Sequence, residues 1–305
     1  MKNSFRKKFV LGEWNLGICN QDFLSEFRKV KKGGVLTLKA IWMRHHRLGS
    51  FFADPFIYKV DNERVIVLAE EFIFSRNKGF ISRCTIDRKS GKMIDRKIVL
   101  EETCHLSYPF YDEVYKTFIP ESFRNGNWAE YDFDGRKVSN KHIITDFPLI
   151  DATPVEYNGK WYVFATTQPN ALDELLIYWS ENREGPYMPH MKNPVKKDIK
   201  TSRCGGKFFE YKGELFRPVQ DSTHRYGETM HIMRVTKLTP TEFKEEFYCD
   251  VIIRSPGKYP LGFHTLNFQE DVIIVDGFRE RFSPLQTIYN VKVAPLINRL
   301  RYGKH

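Results

Sequence analysis

Residues 51–72 read FFADPFIYKVDNERVIVLAEEF. An apolar run holding Asp54 beside Pro55 is followed by turn residues at Asp61 and Asn62, then by a second apolar run that ends in Glu70 and Glu71. Apolar stretches of this length, rich in β-branched and aromatic residues and split by turn formers, predict a β-hairpin. The same unit returns about every 43 to 59 residues, a period that marks repeat architectures. Its other copies are HLSYPFYDEVYKTFIPES (105–122), IDATPVEYNGKWYVFATTQ (150–168), SRCGGKFFEYKGELFRPVQD (202–221) and FHTLNFQEDVIIVDGFRE (263–280). Five such hairpins, each the inner half of a blade, predict an all-β fold: a five-bladed β-propeller. The expected organisation is one domain. Residues 1–50 lead in with strands completing the ring, 51–290 form the propeller, and 291–305 form a basic tail.

The rest of the chain reads outward from these units. WNLGI predicts a strand, QDFLSEFRKV a short helix or turn, and VLTLKAIWM a further strand. FISRCTI reads as an outer blade strand, with RKSGK and NREGPY as turns between strands. LTPTEFKEEF is the best short-helix candidate, with Thr239 or Thr241 near its start. The 45 aromatic residues (Phe 25, Tyr 15, Trp 5) suit sheets packed face to face, and sugar stacking less.

The formal charge of +10 and a pI of about 9.2 favour anionic partners. No zinc-finger, basic-zipper or RNA-recognition pattern is present, so nucleic acid is not expected as a partner. The five cysteines are scattered without a CxxC, which argues against both a disulfide framework and a structural zinc site. No secretory h-region and no run of roughly 20 apolar residues occurs, so a cytoplasmic location is expected. The basic tail APLINRLRYGKH reads either as a helix lying on an anionic membrane or as a closure of the last blade.

If the units superpose, Asp54 and Asp151 stand at equivalent blade starts and face one axis. Two carboxylates sharing a cavity can divide roles, one as base and the other tuning charge. Strand alternation lets at most one of Glu70 and Glu71 face the same cavity, and Glu121 ends the matching strand of the second unit. His105 and His264 occupy blade starts, where they are placed to bond sugar hydroxyls, and Tyr108 of HLSYPF is a further candidate contact. The fourth unit is basic: Arg203 precedes Gly205 and Gly206, and Arg217 precedes Gln220 and Asp221. Guanidinium forks and close backbone N–H groups suit a phosphate or carboxylate, while an Arg217–Asp221 pair is the structural alternative. No cluster with metal-ligand spacing and no cofactor motif is found.

Taken together, ADPF with AEEF, HLSYPF with IPES, D-x-T with NGKWYVFATT, GPYMPHMKNPV, RCGG with RPVQD, YG and FHTLN resemble a known group. The group is the five-bladed propeller found beside bacterial sugar formyltransferases and as the N-terminal domain of plant glucosamine inositolphosphorylceramide transferase. It is similar in fold to glycoside hydrolase family 43. The resemblance runs from WNLGI to about residue 280. It implies a base role for Asp54 and a tuning role for Asp151; Glu184, in an inter-blade turn, takes no role.

The expected catalytic set is therefore Asp54, Asp151 and Glu71. The expected substrate contacts are Glu70, His105, Tyr108, Glu121, Arg203, Arg217, Gln220, Asp221 and His264. The resemblance and the charge point to a glycosyltransferase of bacterial surface polysaccharide or glycolipid synthesis. It would use a sugar or glycan acceptor and an anionic nucleotide-sugar or sugar-phosphate donor, peripheral to the inner membrane face. A glycosidase-like hydrolase and a non-catalytic carbohydrate-binding propeller are the alternatives.

Overall fold

A computed structural model describes residues 9–45, 49–254, 258–289, 293 and 296. Four antiparallel strands make blade I: Ser50–Val60, Arg64–Ile73, Lys78–Asp87 and Met93–Leu100. Blade II repeats the meander with Ser107–Asp112, Thr117–Glu121, Trp128–Phe133 and Val138–Thr145. Blade III has Ile150–Tyr157, Lys160–Thr166 and Glu174–Ser180, with Met188–Pro189 and Lys196–Lys197 both paired to the last of these.

Blades IV and V borrow strands from the start of the chain. Blade IV runs Phe209–Tyr211, Glu214–Asp221, Thr229–Leu238 and Phe243–Ile253, and Gly34–Leu38 adds to its outer edge in parallel. Blade V joins Leu266–Gln269 and Val272–Phe282 to Val10–Cys19 and Ile41–Trp42. Val10–Cys19 pairs with Val272–Phe282 along its whole length, from Val10↔Phe282 to Cys19↔Ile273. The result is the expected five-bladed, all-β ring.

Two local readings change. VLTLKAIWM is not one strand: it breaks after Leu38, and its halves serve blades IV and V. LTPTEFKEEF is not a helix. Thr239 closes a turn, accepting from the Glu242 N–H through Oγ1, and Phe243 starts a strand hydrogen-bonded on both sides. Sheet pairing outweighs the weak helix propensity of a short acidic segment there. QDFLSEFRKV does form a helix, Phe23–Phe27, whose Asp22 side chain accepts from the Ser25 N–H as an N-cap. The tail 291–305 lies outside the described residues apart from positions 293 and 296.

Apolar clusters fill the spaces between adjacent blades. The helix buries Phe23 and Phe27 against Phe209, Phe216 and Phe268 where blades IV and V meet. Most of the aromatic content is thus packing. All five cysteines are buried, and none of them forms a disulfide. Among the described residues no helix is long and apolar enough to cross a membrane.

Candidate active site at the mouth of the ring

In blades I to III the inner strand breaks register at an equivalent place near its start. The shifts fall between Ala53 and Phe56, Ser107 and Phe110, and Ile150 and Thr153. The residue inside each break has positive φ: Asp54 at 50°, Tyr108 at 42° and Asp151 at 48°. Positive φ is uncommon outside glycine, and a bulge re-aims the side chain it carries. In blades I and II Asp-Pro and Tyr-Pro are the local signature, because proline adds no N–H to the interrupted ladder; in blade III Ala152 follows Asp151. Blade IV meets the same place with Gly206 at φ 142°, where an added Cβ would lie 1.9 Å from the Leu266 carbonyl oxygen. Only glycine lets these backbones approach so closely.

Asp54 is nearly buried and held from two other blades. Its Oδ1 accepts from Thr265 Oγ1 at 2.8 Å, and its Oδ2 from the Tyr108 N–H at 3.2 Å. Behind it, Asp276 accepts from the N–H groups of Asp54, His264 and Thr265 at 3.1, 2.9 and 3.1 Å. His264 lies between the two carboxylates, Nδ1 2.6 Å from Asp276 and Nε2 3.6 Å from Asp54. Trp14 stacks on the imidazole at 4.0 Å. Across the mouth, Asp151 Oδ2 accepts from Arg203 Nε at 2.5 Å and from Gln220 Nε2 at 3.0 Å. Gln220 Oε1 is buried without a partner among the described residues. The Arg203 guanidinium lies 5.2 Å from the ring centre of Tyr226, a rim residue that also meets His264 edge-on.

The electrostatics follow from crowding acids away from water. Burial raises the Asp54 carboxyl to about 6; His264 pulls it down, while Asp151 and Asp276 push it up. Burial, with Asp151, raises Glu121 to about 8 against the pull of Arg203. Glu70 is raised well above the usual range by burial and then by Asp54 and Glu121. Burial disfavours charge on His264, yet Asp276 and Asp54 raise its pKa overall. The mouth therefore holds an ionisable base, Asp54, beside a carboxyl, Glu121, that keeps its proton at neutral pH, the divided state that acid–base chemistry uses. One ligand atom each from Asp54, His264 and Asp276 falls within 4.8 Å of the others. Here those atoms face one another, and a proton on His264, which Asp276 and Asp54 favour, competes with any cation.

A cleft of about 370 Å³ reaches this cluster, lined by Phe72, Asn77, His105, Glu121, Phe123 and Arg124 among others. His105 Nδ1 accepts from the Gly79 N–H at 3.0 Å, so its proton sits on Nε2, 3.4 Å from Glu70 Oε1. Glu121 Oε2 accepts from Ser107 Oγ at 3.2 Å.

The structure thus brings Asp54, Asp151, Glu70, Glu121, His105, Arg203, Gln220 and His264 to one place. Tyr108 is there as wall: its backbone serves Asp54, and its buried hydroxyl bonds Thr153 at 2.9 Å and accepts from the Gly206 N–H at 3.0 Å.

Three expected residues are elsewhere. Glu71 points to the opposite face of its strand, fully buried against Ser82 and Arg96, and cannot be the acid. Arg217 is no phosphate clamp and does not pair with Asp221. Its N–H groups go to Glu245, the Thr201 and Ser202 carbonyls and Cys204 Sγ inside the blade. Asp221 bonds Thr223 and His231 at the strand end, apart from the cluster. Sequence reading missed Asp276, Thr265 and Trp14. Asp276 had a signal, since IIVDGF ends its inner hairpin as VLAEEF and FIPES end theirs. Trp14, on a strand borrowed from the far end of the chain, had none.

A five-bladed ring whose inner bulges turn carboxylates into a common mouth defines a carbohydrate-related propeller. In fold it resembles the catalytic domain of the Coprinopsis cinerea GH62 alpha-L-arabinofuranosidase, with a TM-score of 0.55 and 10% identity over 78% of this chain and 83% of that one. At sequence level the chain belongs to the family described as glucosamine inositolphosphorylceramide transferase 1, N-terminal, whose profile matches residues 34–259. The full-length protein of that name from Oryza sativa subsp. japonica is 31% identical over 210 residues, 64% of this chain and 28% of the rice protein. The Arabidopsis thaliana protein is 28% identical over 208 residues, 64% of this chain and 27% of its own length. The chain therefore spans less than a third of these relatives.

Proposed function

We propose that the mouth of the ring is a glycosyl-transfer site that moves a sugar from an anionic activated donor to a hydroxyl group of a glycan or glycolipid. Asp54 takes the acceptor proton as the acceptor oxygen bonds the anomeric carbon. The bond from that carbon to the donor phosphate breaks, and the electron pair leaves with the phosphate. Arg203 steadies the charge at the mouth, and the orphan acceptor of Gln220 and the His105 Nε2–H supply sugar hydroxyls with partners. The observation that carries this reading is the Asp54 carboxylate, re-aimed by the bulge toward the other acids of the ring, held by two donors and poised near 6. General-base assistance of this kind contributes about 10²–10⁴ in rate. The relatives' names as transferases support the reaction class.

One observation favours hydrolysis as the second reading: Glu121, pushed up to about 8, keeps the proton that an uncharged sugar leaving group needs. Incubation with nucleotide sugars and with neutral oligosaccharides separates the two. Asp54→Asn is expected to lower turnover by about 10²–10⁴ with the fold intact by circular dichroism. Glu121→Gln is expected to leave transfer from a phosphate donor within about tenfold, because that leaving group needs no acid; loss of neutral oligosaccharide cleavage instead selects the hydrolase. Full activity of Asp54→Asn would remove both readings.

A further inference from the structure

A second cavity, about 330 Å³, opens where blade V meets the start of blade I. Trp14 lines it, so the same indole that stacks on His264 also faces this space. Its charge is one-sided: Arg44, Lys258, Arg279 and Arg281 line it against a single carboxylate, Glu13. Glu13 accepts from Arg279 Nε at 2.6 Å and lies 3.5 Å from Arg281, which aims two guanidinium groups and leaves the cavity with surplus positive charge. The Arg279 guanidinium is held over the Tyr259 ring at 4.7 Å, and Trp42 packs against that same ring at 4.7 Å. Trp42 is buried, and its Nε1, a group that can only donate, has no partner among the described residues. An oriented guanidinium, further cations and an orphan buried donor make an acceptor-seeking site. The cleft at Glu121 is different, since Arg124 is the one permanent cation among the residues lining it.

We infer that the cavity between blades V and I binds the phosphate group of a phosphate-bearing ligand, with Arg44, Lys258 and Arg279 as its charge partners and Trp42 Nε1–H as a neutral donor. The anion and the neutral sugar are thereby sorted to two sides of one indole, Trp14. This deepens the proposed transfer and rests on it for assigning the phosphate to the sugar donor. The anion site itself rests on the cavity.

Calorimetric titration of the whole chain with inorganic pyrophosphate, at fixed ionic strength, tests it. Saturable binding is expected, weakened at least about tenfold in Arg44→Ala/Lys258→Ala and a few-fold in Trp42→Phe, and kept within about twofold in Arg203→Ala and Asp54→Asn. No binding by the wild type, unchanged binding in the double variant, or loss confined to Arg203→Ala would each overturn the inference. Co-sedimentation with phosphatidylcholine vesicles containing phosphatidylinositol distinguishes the source of the phosphate. Vesicle binding displaced by pyrophosphate assigns a lipid headgroup, and pyrophosphate binding without it assigns a soluble donor. If Asp54→Asn proves fully active while pyrophosphate binding still depends on Arg44 and Lys258, the transfer reading falls and the anion site stands.

Discussion

Blade IV buries two arginines, fourteen positions apart, in opposite ways. Arg217 lies in the packed interior of the blade, where Glu245 takes two of its N–H groups and backbone carbonyls and a thiol take the others. Arg203 stands at the mouth, and among the described residues it gives one hydrogen bond, from Nε to Asp151, with its flat face toward Tyr226. Both are ion pairs screened from water, yet one guanidinium is spent and the other holds donors in reserve. Saturation of the donor set, rather than charge or burial, separates scaffold from site in this molecule.

The comparison breaks if the two arginines cost the same to remove. Arg217→Ala leaves Glu245 buried with Lys196 as its remaining ionic partner and strands the Thr201 and Ser202 carbonyls, and is expected to destabilise the fold by about 3–5 kcal/mol in urea unfolding. Glu121→Gln probes the mouth through pH. Glu121 binds its proton more tightly folded than unfolded, so between about 4.5 and 8 the native state holds more protons. Stability must then fall as pH rises through that window, and His264, also raised, adds loss in the same direction above about 6.5. The glutamine variant is expected to flatten the melting temperature against pH, the wild type losing on the order of a few kcal/mol across the window. Arg203→Ala leaves Asp151 the Gln220 donor and is expected to cost only roughly 1–2 kcal/mol while weakening substrate binding. A cost matching that of Arg217→Ala would make Arg203 scaffold as well.

The repeat was legible because each inner hairpin carries its own turn and its own apolar alternation, which are local properties. Asp54 and Asp151 were legible for the same reason: they interrupt those hairpins at equivalent positions. The error over Arg217 and Glu71 has a common source. Both lie on strands that also point side chains into the mouth, and a strand sends alternate residues to opposite faces. The partners that settle the matter, Glu245 for Arg217 and Arg96 for Glu71, sit on outer strands that the inner repeat does not contain. The split of VLTLKAIWM between two blades was invisible because both halves alternate as one strand would.

Blade V joins Val10 to Phe282, a contact about 270 residues apart in the chain, among the costliest closures a fold of this size can make. That closure also sets Trp14 against His264 and beside Asp276, the wall behind Asp54. The acids of blades I to III lie on hairpins that are local in sequence, whereas the indole that divides the two cavities reaches them only through this long-range pairing. Site and topology share one latch: the ring is closed only when the wall behind Asp54 is complete.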